Sequence, residues 1–255
     1  MNKLPALLAI KHALKAVIQF RNAGTRIGLP WILVLTGVSI LDLYFSGATN
    51  STGEDITSTV TIRPTEFIIA AISIVIFSSI AVNWHRYILL DEITASEKIF
   101  RLDRLVWSYA GRTLLIMLIT LVPALIVSTA FLSALPNLSS VLTILFFVAA
   151  IYIMRMSVAL PAIALERKDF GIGAALQVTQ GNNLQFAALI VLNALILIAT
   201  FLVLVLLLSI VGGVSATAAK ILAVVLSVPV KLFLSLFSVS LLSSLYGFFV
   251  EQRKF

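Results

Sequence analysis

Residues 155–186 read RMSVALPAIALERKDFGIGAALQVTQGNNLQF. Arg155 stands inside an apolar run, Pro161 follows, and the run closes on the charged break ERKD at 166–169. A short segment with helix punctuation at both ends comes next. Asp169 is placed to cap its start, and Gly181 stands where a left-handed residue ends a helix. A second apolar run then begins at Leu184. The unit is membrane helix, interfacial elbow, membrane helix, and weaker copies of it recur along the chain.

Of the 255 residues, 60% are apolar and 11% charged, and the mean hydropathy is +1.11. Soluble domains carry about 25% charged residues, so this chain lacks the polar surface to cover a soluble globule. Its apolar runs are long enough to cross a hydrocarbon core of about 30 Å. Only helices or a closed barrel satisfy the backbone in lipid. The runs are continuous rather than alternating, which selects helices. The absence of cysteine excludes disulfides, thiol catalysis and Cys-ligated metals. His12 and His85 form no metal-ligand spacing, so neither a metal nor another cofactor is expected. The segment Leu4–Ile10 is broken by Lys11 and precedes no small-residue cleavage site, so it does not read as a signal peptide.

The whole of 1–255 reads as one all-α membrane domain, a polytopic bundle of six transmembrane helices with amphipathic elbows. The spans are expected at about 27–45, 67–90, 109–135, 141–165, 184–211 and 221–250. An interfacial helix over about 3–24 precedes them, with Lys11, His12, Lys15, Gln19 and Asn22 on one side and Ile10, Leu14, Val17 and Ile18 on the other. Packing of that helix on the protein's own loops is the competing reading. Ile99, Leu102, Leu105 and Val106 predict a second elbow helix before span three. The polar loop 47–65 contains the sequon Asn50-Ser51-Thr52, a short pattern that carries little weight alone. The last two runs exceed about 20 residues and predict tilt, a kink at Pro229 or projecting ends.

With the N-terminus inside, the bases from Lys3 to Arg26, from Arg86 to Arg112, and Arg167, Lys168, Arg253 and Lys254 all lie on the cytoplasmic side. Only Arg63 and Lys220 fall outside. This asymmetry is the positive-inside pattern, and it accounts for the net charge of +7 without a nucleic-acid partner. The expected location is the bacterial cytoplasmic membrane, with both termini cytoplasmic. Even spans end alike, in YILLDE at Glu92, PAIALE at Glu166 and GFFVE at Glu251. Three elbow-plus-hairpin units about a pseudo-threefold axis would follow, although any membrane helix ends in charge.

Ionisable groups inside spans are functional candidates by default. Arg155, Asn83 and Asn193 fall at similar depth and could form a polar layer that binds an anionic headgroup. Interhelical packing bonds, with Arg155 on carbonyls freed at Pro161, are the alternative. Asp42 and Lys231 form a candidate ion pair, against simple snorkelling of Lys231. His85-Arg86 with Asp91-Glu92 brings no nucleophile, and no catalytic motif is present. The serines of span six, from Ser227 to Ser244, predict close helix contact at the centre of the bundle.

Three stretches carry a family resemblance: LPAIALE (160–166), GAALQVTQGN (173–182) and AVNWHRYILLDE (81–92). They resemble a group of bacterial six-span inner-membrane proteins similar to the membrane domain attached to some glycerophosphoryl diester phosphodiesterases. The chain has no room for that catalytic barrel and no acidic metal-binding cluster. The resemblance therefore implies a membrane module and assigns no residue roles. The expected function is that of a non-enzymatic membrane protein engaging membrane lipids, a membrane-protein partner or a second copy. A transporter or channel for an anionic solute or lipid headgroup is the alternative.

Overall fold

The fold is given by a computed structural model that describes residues 3–45, 64–95, 98–134 and 139–253. The helices are α1 (Ala6–Gln19), α2 (Arg21–Phe45), α3 (Pro64–Leu90), α4 (Arg104–Ala134), α5 (Ser139–Ser157), α6 (Leu160–Ala164), α7 (Ile172–Val178), α8 (Asn183–Gly212) and α9 (Ala216–Phe249). Among the described residues, six stretches are long and apolar enough to cross a membrane: Arg21–Leu41, Pro64–Leu90, Arg104–Thr129, Leu142–Ala164, Asn183–Gly212 and Thr217–Phe249. The chain is an all-α, multi-pass membrane protein, as its sequence predicts. The sequon at Asn50 and most of the polar loop lie outside the described residues.

Several hydroxyl groups inside the apolar helices are satisfied locally, whereas the buried Thr36 and Ser79 hydroxyls have no hydrogen-bond partner among the described residues. Ser39, Ser73, Ser78, Thr120, Thr200 and Ser235 each donate to the carbonyl four residues earlier, so the spans carry these polar groups at little cost. Pro30, Pro123 and Pro229 lie within continuous helices. Pro161 acts differently. It lacks an N–H and crowds the carbonyl of Ser157, and α5 ends at that serine. Val158 and Ala159 then bond three residues back, to Arg155 and Met156, before α6 resumes.

Three boundaries differ from the sequence expectation. Only Phe20 separates α1 from α2, so the interfacial helix stops before Asn22 and span one starts at Arg21. The described residues before α4, 91–95 and 98–103, are largely non-helical, and Leu105 and Val106 belong to α4 instead. The residue preceding α7 is Gly171, with no side-chain cap, so Asp169 does not cap it. Gly181 does adopt the left-handed conformation, at φ 76°.

Packing is uneven along the bundle. The well-packed end, called here the basic end, gathers α1, residues 91–95 and 98–103, α6, α7 and the C-terminal end of α9. Trp84, His85, Phe186, Leu245 and Tyr246 are fully buried there. Helix α9 lies centrally, against α1, α2, α3, α6 and α8. At the opposite end the helices expose their apolar sides, and the most apolar eighteen-residue stretch of α8 holds no buried residue. The glycines Gly24 and Gly28 of α2 meet α9 closely: a methyl group on them would lie 2.6 Å from Leu236 Cδ1 and 2.5 Å from Leu232 Cδ1 respectively.

Candidate functional site

The polar residues of the spans converge on the three elbows. Asn83 of α3 is 2% exposed, and its Nδ2 donates to the carbonyls of Lys98 and Ile99 at 3.1 and 3.4 Å. Trp31 Nε1 of α2 donates to the same Ile99 carbonyl at 2.9 Å. These bonds hold segment 98–101 in place although it is not an α-helix. Arg155, in the last turn of α5, holds the next elbow. Its Nε, Nη1 and Nη2 donate to Thr179 Oγ1, Asn183 Oδ1 and the Leu176 carbonyl at 3.0, 2.9 and 2.8 Å. The guanidinium thus sits where α5 and α7 both present the negative ends of their dipoles. Ser244 of α9 bonds His12 of α1 at 2.9 Å, and Asn182 Oδ1 accepts from the Leu4 N–H at 2.9 Å. Spans two, four and six therefore each clamp an elbow, the last returning to the first.

The bends that follow these clamps share a backbone device. Asp91, Glu166 and Gln252 have φ of 53°, 59° and 55°, and they are the only non-glycine residues with positive φ among those described. Glu92 N–H reaches back to Arg86 and Arg253 N–H to Gly247, while Arg167 N–H reaches Ala162. Each closes a helix end by a left-handed residue, a position usually taken by glycine. Charged side chains join the three bends. Arg86 bonds Glu92 at 2.6 Å, Glu166 at 3.0 Å and the Ala164 carbonyl at 2.9 Å. Arg167 reaches Glu251 at 3.5 Å, and Arg253 reaches it at 2.7 Å. The Arg86 guanidinium holds the Glu92 carboxyl below its ordinary value of 4.5.

Next to these bends, the serines of α9, read from the sequence as close helix contact, form a row of hydrogen-bond partners for side chains of α1 and α3. Ser240 accepts from Trp84 Nε1 at 2.8 Å. Ser243 lies 2.8 Å from His85 Nδ1, and His85 Nε2 lies 3.2 Å from Tyr109 OH. His85 thus has two hydroxyl partners, from α9 and α4, that the sequence reading did not place beside it. Ser243 Oγ also lies 3.1 Å from the Val239 carbonyl of its own helix, so its single proton has two acceptors within reach, and the tautomer of His85 sets which of them it takes. A cavity of about 90 Å³ lies beside the row, lined by His12, Ser243, Ser244 and Arg253 among others.

Asn83, Arg155 and Asn193 share no hydrogen bond among the described residues. Asn83 and Arg155 serve separate elbows, and Asn193 is half-buried on α8. Arg155 is satisfied by the elbow it clamps rather than by carbonyls freed at Pro161. Lys231 is half-buried on α9, whereas the side chain of Asp42 lies outside the described residues, and with it their candidate pair. No three His, Asp or Glu side chains gather as metal ligands among the described residues. No protein-family model matches the chain, and neither a curated protein nor a solved structure matches it significantly.

Proposed function

We propose that this chain is a non-enzymatic module of the bacterial cytoplasmic membrane that engages anionic lipid through its basic end, with that end and both termini cytoplasmic. One observation carries the reading: beside basic side chains held by protein partners, this end carries others that stand exposed around its rim. Arg86, Arg101 and Arg155 are bonded to protein partners, while Lys3, Lys11, Lys15, Arg21, Lys98, Arg104 and Lys168 are exposed around the rim. Helix α1 buries Ala9, Ile10, Ala13, Ala16 and Val17 against the bundle. It leaves Leu7, Leu8 and Ile18 exposed beside Lys11 and Lys15. Aliphatic side chains flanking lysines suit a surface of anionic headgroups, where each base near the surface contributes about 1 kcal/mol. The burial of the Ser243–His85–Tyr109 chain between α3, α4 and α9 supports a structural role over a catalytic one. The exposed apolar side of α8 offers room for a membrane-protein partner or a second copy.

The test is to purify the protein in native-lipid discs and measure co-purifying lipids by mass spectrometry. Exchanging Lys11→Glu together with Lys15→Glu is expected to lower the enrichment of anionic over zwitterionic lipid by about tenfold, the effect of about 1.4 kcal/mol. An unchanged lipid profile in the folded double variant would overturn the reading.

A further inference from the structure

Arg112 stands apart from the other arginines of the spans. Arg86 and Arg155 are each bonded to several acceptors. Arg112 is half-buried on α4 and has no hydrogen-bond or ion-pair partner among the described residues. It lies eight residues beyond Arg104, the first residue of α4, hence about 12 Å along the helix. A charge at that depth is costly unless a counter-charge meets it. Its Nη1 lies against Gly171, since a methyl group on that glycine would stand 3.7 Å away. Asp169, the acid nearest to Gly171 in sequence, is exposed and makes no ion pair with Arg112 among the described residues.

Farther along the same helix, α4 and α5 part to leave an apolar groove of about 340 Å³. Thr120, Pro123 and Ala124 of α4, Ala149 and Tyr152 of α5, and Leu176 of α7 are among its walls. Arg112, Ile116, Thr120 and Pro123 follow helical spacing and share one face. Leu176 and Gly171 belong to one short segment, about 7 Å apart along its axis. The unpaired guanidinium and the mouth of the groove therefore flank α7 together. Alanines at 124 and 149 keep the groove open.

We propose that Arg112 and the α4–α5 groove form a binding site for one anionic phospholipid, with the phosphate on the guanidinium and an acyl chain along the groove. This rests on the lipid reading above and narrows it to a place. Guanidinium and phosphate match in charge and in bidentate geometry. The groove beside the cation is what selects a lipid over a free anion, which would leave the apolar walls uncovered.

The full chain in discs of phosphatidylcholine, with a minor share of phosphatidylglycerol carrying a photoactivatable acyl chain, provides the test. Cross-links are expected on α4 and α5 peptides that line the groove. Arg112→Gln is expected to lower their yield about tenfold, equivalent to about 1.4 kcal/mol, with an unchanged thermal transition because no protein bond is lost. Ala149→Leu, which fills the groove, is expected to lower the yield as well, and excess inorganic phosphate to leave it unaltered. Undiminished cross-linking in folded Arg112→Gln overturns the site, and competition by inorganic phosphate overturns the lipid in favour of a free anion. If the site falls while Lys11→Glu with Lys15→Glu still loses anionic lipid, the broader reading stands. If both variants leave lipid binding unchanged, both fall.

Discussion

Removing the Arg155 guanidinium strips Thr179, Asn183 and the Leu176 carbonyl of a shared donor. Hydrogen bonds to a charged group contribute about 1.5–3 kcal/mol each, and the groups left behind stay desolvated. Arg155→Met is expected to destabilise the protein by about 3 kcal/mol, read as a lower thermal transition in detergent. Arg155→Lys should recover only part of this, because an ammonium cannot span three acceptors in the guanidinium's planar fork. A wild-type transition in Arg155→Met would refute the clamp. The importance of this residue was legible in the sequence as a lone charge in an apolar run. Its partners were not, because Thr179 and Asn183 arrive from the following elbow, and no local period reports where an elbow folds back. The serine row was visible as composition, but which ring each hydroxyl would receive depends on the rotation of α9 against α3 and α1.

Between elements, the α2–α9 contact depends on the absence of side chains at Gly24 and Gly28. The atoms a methyl group would meet most closely are leucine ends, which can rotate away. Alanine also gains about 1 kcal/mol of helix propensity over glycine. Single alanine exchanges should therefore be nearly neutral. Valine at both positions cannot be accommodated by two leucines and is expected to cost about 1–3 kcal/mol through overpacking. Equal thermal stability of the double valine variant and the wild type would argue against close α2–α9 packing. The six spans were legible from apolar length alone, since lipid leaves the backbone no alternative to helix. The second elbow was misread for a physical reason. Its apolar residues keep helical spacing, yet Asn83 and Trp31 capture the carbonyls of Lys98 and Ile99 from outside, so bonds within the segment are not needed to satisfy them. The repeated endings at Glu92, Glu166 and Glu251 were legible, but the bends fall at Asp91, Glu166 and Gln252. The acidic residue thus drifts by one position in each direction relative to the turn.

For the whole molecule, stability should depend on pH through the contacts of α1 and of the first bend. Burial, then the nearby charges of Lys15 and Arg253, lower the His12 pKa from its ordinary 6.5. The folded state therefore binds its proton less readily than the unfolded chain, and stability falls as pH drops below 6.5. Glu92, held below 4.5 by Arg86, contributes stability above its unfolded value that is lost as pH falls through its lower folded value. Thermal unfolding followed from about pH 8 to about pH 2 should show both losses, the His12 loss setting in below 6.5 and the Glu92 loss below 4.5. His12→Gln should remove the one at higher pH, and a profile unaffected by that exchange would contradict the assignment.

The contrast between the clamped basic end and the exposed opposite end also has a mechanical consequence. Helix α8 has 30 residues and α9 has 34, so α8 is about 45 Å long against a hydrocarbon core of about 30 Å. Three elbows and a chain of ion pairs fix these helices at one end, like the arms of a tripod joined at its head. A thicker or thinner bilayer is therefore expected to change the splay of the free arms more than the position of the head. Strain would then be taken up at the loosely packed end of the bundle rather than at the clamped one.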